Sequence, residues 1–144
     1  MPMTTVKSLM TKRVLTIESK ETVLEGAKLM SQKEVGDLIV VDNEMPVGIV
    51  TERDFVRRIM ARGKAFDTKI SDVMSSPLVT ISPDASVKGA ARKMVKHRIR
   101  RLPVLNEHKL VGIIVVSDFA RHLGRKTLTE GLLEAIWRQP MGES

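Results

Sequence analysis

Thr51-Glu52-Arg53-Asp54 sets a hydroxyl and a carboxylate three residues apart, where the apolar, β-branched run Val47-Gly48-Ile49-Val50 gives way to a charged, helix-compatible stretch. A Thr three residues before a carboxylate at a helix start satisfies orphan backbone donors as a capping box; the same two groups also suit a binding role. A second concentration of chemistry is cationic. Between Ser86 and Arg101 stand Lys88, Arg92, Lys93, Lys96, Arg98, Arg100 and Arg101, with no acidic residue among them. With a net charge of +7 and a pI near 10.0, the chain is expected to meet anions. Arg92, Lys93 and Lys96 also read simply as the solvated face of a helix. His97, His108 and His122 lack ligand spacing and read as surface residues, while the Met residues at helical spacing read as core. Zero Cys excludes disulfides and thiolate metal sites. No metal cluster, nucleophile–base pair or Gly-rich phosphate loop stands out, so no catalytic or metal site is expected and the chain reads as a non-enzyme.

The elements that must position these residues occur twice. Val111-Gly112-Ile113-Ile114-Val115-Val116-Ser117-Asp118-Phe119 repeats Val47 to Phe55 at an offset of 64 positions. The same offset pairs Met10 with Met74, Thr16 with Thr80, Ile17 with Ile81, Val23 with Val87, Met30 with Met94, Leu38 with Leu102 and Val40 with Val104. Without a gap, 13 of 50 positions are identical, where unrelated sequences would give roughly 3. The chain is two copies of one unit.

Each copy reads as a lead-in, a strand, a helix, two strands and a helix. In the first, Val6, Leu9 and Met10 form one face of a short leading helix and Val14 to Ile17 a strand. Thr22-Val23-Leu24-Glu25 is a capping box opening a helix that buries Val23, Ala27 and Met30. Leu38 to Val41 and Met45 to Val50 are strands joined by the polar turn Asp42-Asn43-Glu44, and a helix runs from Arg53 to Arg62 with Phe55, Val56, Ile59 and Met60 available for burial. In the second, Ile70 to Met74 leads in and Leu78 to Ile81 is a strand. A helix from about Ser86 buries Val87, Ala91, Met94 and Val95, and strands Leu102 to Leu105 and Leu110 to Val115 follow. Gly48 and Gly112 read as fold glycines at a bulge or close approach. Thr127-Leu128-Thr129-Glu130 opens a further helix to about residue 138, packed within its own domain or on a second subunit.

The repeated Met-x-x-x-(apolar)-x-Thr-(apolar), the Leu-(Ile/Pro)-Val segments and Val-Gly-Ile-(Val/Ile)-x-x-x-Asp-Phe resemble the cystathionine-β-synthase (CBS) domain, a family that occurs in tandem pairs of the Bateman type. The resemblance covers about Val6 to Phe119. It implies an α/β (α+β) fold of two β-α-β-β-α units, at 6–62 and 70–123, related by pseudo-twofold symmetry, with the helix 127–138 in addition. It also implies adenine nucleotides bound in clefts between the units.

Carried over residue by residue, the resemblance gives Asp54 the ribose hydroxyls, assisted by Thr51, and gives Arg100 and Arg101 the phosphate. Leu78, Val79 and Ile99 are the candidates to lie against adenine. A carboxylate can accept two hydrogen bonds from a cis-diol, and guanidinium forks suit phosphate oxygens. Consecutive residues on a regular strand face opposite ways, so the two arginines converge only if the segment is not yet pleated there. The second cleft departs from the pattern. Asp118 and Ser117 remain, but Val115 stands at the Thr position, and Gly36 and Asp37 stand where the arginines would be. It is expected to be empty, weak, or suited to a nucleoside such as S-adenosylmethionine, lined by Val14, Thr16 and Val35.

The reading is a regulatory, non-catalytic module that binds AMP, ADP or ATP, requires no cofactor, forms a homodimer and signals to an unidentified effector protein or through oligomer state. The alternative is a nucleic-acid-binding protein that uses the basic helix and the arginines. Three Phe, one Trp and no Tyr leave little for bases to stack on. The N-terminus lacks signal-peptide features and the longest apolar run, Leu110 to Val116, is too short to span a bilayer, so a cytoplasmic location without membrane partners is expected.

Overall fold

A computed structural model describes residues 4–123, with side chains described to Ala120. The expected helix at 127–138 lies outside the described residues. Contacts divide the chain into two compact units, one of residues 14–79 and one of residues 1–13 with 80–144. The repeat of the sequence is thus cut differently in space, because each lead-in segment packs on the other copy's hairpin.

The 14–79 unit contains β1 (Thr16–Glu18), α2 (Val23–Lys33), β2 (Asp37–Asp42), β3 (Met45–Thr51) and α3 (Glu52–Phe55). The leading helix α1 (Val6–Leu9) belongs to the other unit. β1 runs parallel to β2, and β2 antiparallel to β3, in the order β1-β2-β3. Thr22 caps α2, its hydroxyl accepting from the Glu25 amide at 3.2 Å, and Glu34 ends it in the left-handed conformation at φ 56°. The apolar face of α2 and the inward residues of the sheet form a core of Ile17, Val23, Met30, Leu38, Val40, Val50, Phe55, Ile59, Ile70 and Val73. α3 continues as a π-helical turn over Val56–Met60, with the Ala61 amide bonded to Val56 O at 2.8 Å.

The other unit contains α1, α4 (Val87–His97), β4 (Arg101–Asn106), β5 (Lys109–Val115) and α5 (Val116–Leu123). Ser86 caps α4 by accepting from the Gly89 amide at 2.9 Å, and Arg98 closes it at φ 55°. Val6, Leu9, Ile81, Val87, Ala90, Met94, Leu102, Val104, Ile114 and Phe119 are buried here. Both hairpins turn on two residues of positive φ, Asn43 with Glu44 and Glu107 with His108, the twist that two-residue loops favour.

The lead-ins are held by main-chain pairs. Ile49 and Ser75 exchange amide and carbonyl bonds at 3.1 and 2.8 Å, and Thr11 and Ile113 do so at 2.9 Å each. Gly48 and Gly112 permit this approach. A Cβ on Gly48 would stand 2.7 Å from Ser75 O, and one on Gly112 would stand 2.9 Å from Thr11 O.

Three details differ from the sequence expectation. The strand expected over Leu78 to Ile81 shrinks to one parallel bridge, Ile81 with Val104. In the first copy the Ile39 amide donates to Leu15 O at 3.1 Å, whereas the equivalent residue of the second copy is Pro103, which has no N–H. The buried faces of the long helices rotate slightly, so that Gly26 and Ala90 are buried while Ala27, Ala91 and Val95 are only half-buried. Val56 and Met60, expected to be available for burial, are 54% and 68% exposed.

Candidate functional site

Thr51 ends β3 and caps α3, so the strand-to-helix switch in the sequence is also the switch in structure. The capping box is complete. Thr51 Oγ1 accepts from the Asp54 amide at 3.2 Å, and the Thr51 amide donates to Asp54 Oδ2 at 2.9 Å. The Thr51 hydroxyl lies within hydrogen-bond reach of the same oxygen, at 3.2 Å. Among the described residues, Asp54 Oδ1 faces a long ion pair, 3.7 Å from Arg58 Nε. The cap thus fixes the carboxylate through one oxygen and leaves the other with acceptor capacity.

Arg58 is a residue that sequence reasoning passed over. Besides facing Asp54, its Nη1 donates to the carbonyls of Val73 and Met74 at 2.8 and 3.3 Å. It ties the carboxylate to the lead-in segment whose Ser75 pairs with Ile49. Its i, i+4 spacing from Asp54 was the available signal.

The sister position behaves differently. Asp118 Oδ2 accepts from the Val115 amide at 2.7 Å, but Val115 brings no hydroxyl, and Asp118 is only 2% exposed. Ser117 beside it is exposed. In the 14–79 unit, Val14 and Val35 are half-buried and Thr16 is exposed, while Leu78 and Val79 are half-buried in irregular chain. In the other unit, Ile99 is half-buried just after α4, Arg100 lies in a bend before β4, and Arg101 is the first residue of that strand. Strand alternation therefore does not force the two arginines apart. Among the described residues no group of three His, Cys, Asp or Glu could hold a metal ion, and no helix is long and apolar enough to cross a membrane.

Paired α/β repeats, each carrying a capping carboxylate where its hairpin enters a helix, define a tandem-repeat protein of a known kind. The chain belongs to the CBS-domain family, whose model matches residues 6–61 and again 70–125. It is similar to the CBS domain-containing protein YhcV of Bacillus subtilis (strain 168), 40% identical over 118 residues that cover 82% of this chain and 84% of that protein. Among solved structures it is similar to the CBS domain pair of protein MJ0100 in complex with 5'-methylthioadenosine and S-adenosyl-L-methionine, at 30% identity and TM-score 0.74, covering 85% of this chain and 98% of that one. It is similar also to the hexameric CBS-CP12 protein from bloom-forming cyanobacteria, at 35% identity and TM-score 0.73, covering 90% of this chain and 75% of that one. CBS pairs of this kind are typically regulatory ligand-binding modules.

Proposed function

We propose that this protein is a regulatory module for an adenine nucleotide of the AMP, ADP or ATP type, whose ribose is held by Asp54 and Thr51 of the 14–79 unit, with Leu78 and Val79 of the same unit as the apolar candidates for the base. In the other unit, Arg100 and Arg101 are the candidates for phosphate and Ile99 for an apolar contact. The observation that carries the reading is the divided use of Asp54, with Oδ2 committed to the cap and Oδ1 facing a long ion pair. A carboxylate so fixed is preorganised for a diol, because the cap already holds its orientation. The complex of the MJ0100 domain pair with two adenosine derivatives supports the ligand class.

Asp118, with Ser117 beside it, is the weaker second candidate. It lacks the hydroxyl cap, and its carboxylate is buried. The module is non-catalytic and works as a homodimer that signals to an effector protein. Exposed Val56 and Met60, one helical turn apart, supply an apolar strip for self-association, and the hexameric relative supports assembly as a mode of output.

Calorimetric titration of AMP, ADP, ATP, NAD and S-adenosylmethionine into the wild type and Asp54→Ala tests the ligand site. Loss of the buried polar contacts to ribose is expected to cost about 1–3 kcal/mol, or roughly tenfold or more in affinity. Equal binding by the folded variant, or no binding of any of the five by the wild type, refutes the assignment.

A further inference from the structure

The net positive charge of this chain resides in one of its compact units. Residues 1–13 and 80–144 carry fifteen Lys and Arg against six Asp and Glu, whereas residues 14–79 carry nine against eleven; together these make up the chain's 24 and 17. Within the cationic unit, the exposed face of α4 presents Lys88, Arg92 and Lys96 at successive i, i+4 positions. Each step advances about 6 Å along the helix axis. None of the three forms an ion pair within the described residues. Lys93 is different, since its amino group donates to Thr80 O. Lys7 is exposed on α1, which packs against α4.

The fold does not require this stripe. At the equivalent positions of α2 the first copy has Leu24, Lys28 and Gln32, and Lys28 lies 3.7 Å from Glu25. In α4 the place of Glu25 is taken by Gly89, and no acidic residue lies in the first turn. Like charges at i, i+4 cost a helix about 0.2–0.5 kcal/mol per pair, so the second copy maintains an arrangement that weakens its own helix. A polyanion would remove that repulsion.

We propose that the α4 face, Lys88, Arg92 and Lys96 with Lys7, docks on the phosphate backbone of double-stranded nucleic acid without reading its sequence. The surroundings choose among polyanions. The exposed large apolar residues among the described residues, Leu24, Met45, Val56, Met60 and Phe66, all belong to the 14–79 unit. A membrane-surface helix needs apolar side chains beside its cations, and a protein interface needs an apolar centre; the α4 face supplies neither. A phosphate backbone needs only charge and donors. Duplex is favoured over single strand because, among the described residues, no exposed aromatic side chain accompanies the stripe, and Phe119, the aromatic residue described in this unit, is buried. This surface is independent of the Asp54 site.

Fluorescence anisotropy of the full chain on a labelled 20-base-pair DNA of arbitrary sequence, titrated across a range of salt, provides the test. Each phosphate contact contributes about 0.9 to the slope of log K against log salt, so the triple variant Lys88→Gln, Arg92→Gln, Lys96→Gln is expected to lower the slope by about 2.7. Gln keeps helix propensity close to that of Lys and Arg, and circular dichroism with a denaturation midpoint checks that α4 survives. Lys20→Gln, Lys28→Gln, Lys33→Gln in the other unit is expected to leave the slope unchanged. An unchanged slope in the folded α4 variant overturns the proposal, as does absence of duplex binding by the wild type at low salt. Tighter binding to a single strand of equal length, to phosphatidylserine vesicles or to polyglutamate overturns the choice of duplex nucleic acid.

Discussion

Gly48→Ala tests the exchange of lead-in segments directly. The added methyl would stand 2.7 Å from Ser75 O and 2.8 Å from Met74 Sδ, inside contact distance for both. The Met74 side chain can rotate away, but the carbonyl cannot, because Ser75 is fixed by two main-chain bonds with Ile49 at 3.1 and 2.8 Å. Relief therefore requires the lead-in to lift and both bonds to lengthen or break. At about 0.5–1.5 kcal/mol each, that costs about 1–3 kcal/mol, the usual range for overpacking a close contact. Removing a glycine from the unfolded chain returns about 0.4–1 kcal/mol. The expected net loss is about 1–2 kcal/mol, a fall of roughly 5- to 30-fold in the folding equilibrium. Urea denaturation of Gly48→Ala beside Gly36→Ala reads it. At Gly36 the new Cβ would meet nothing closer than the flexible Glu52 side chain at 3.5 Å, so that variant is expected to match or slightly exceed the wild type. Gly112→Ala, facing Thr11 O at 2.9 Å and Met10 Sδ at 2.6 Å, should behave like Gly48→Ala. Equal midpoints for Gly48→Ala and Gly36→Ala would show that Ser75 does not lie against Gly48, and the reasoning fails.

Arg58→Ala removes the donor to Val73 O and Met74 O and is expected to cost about 1–3 kcal/mol in denaturation. Arg58→Lys should recover only part of this, since an ammonium lacks the guanidinium fork; full recovery would reduce Arg58 to a point charge. Val56→Glu with Met60→Glu places charge on the exposed apolar strip and is expected to shift a dimer to monomer in light scattering at micromolar concentration. A wild type that is already monomeric, or a variant that remains dimeric, refutes the use of that strip.

The repeat, the order of elements within each copy and the place where strand becomes helix are legible in the amino-acid sequence, because these depend on local pattern. Alternation marks the hairpins, Thr22 and Ser86 mark helix starts, and Thr51 with Asp54 carries the capping box observed in the structure. It also exposed the inequality of the copies at Val115, a substitution visible without coordinates.

Which lead-in packs on which hairpin is settled by long-range pairing. Residues 6–13 and 70–79 have similar local character, and nothing in their pattern distinguishes packing on their own copy from packing on the other. Gly48 and Gly112 announced a close approach, but not from which segment. Arg58 acquires its role the same way: its acceptors at Val73 and Met74 are distant in sequence and become neighbours only when the lead-in pairs with Ile49. The shortened strand at Ile81 follows from a missing amide at Pro103, a residue on the partner strand. Local periodicity reports the faces of one element, whereas register and pairing are properties of two.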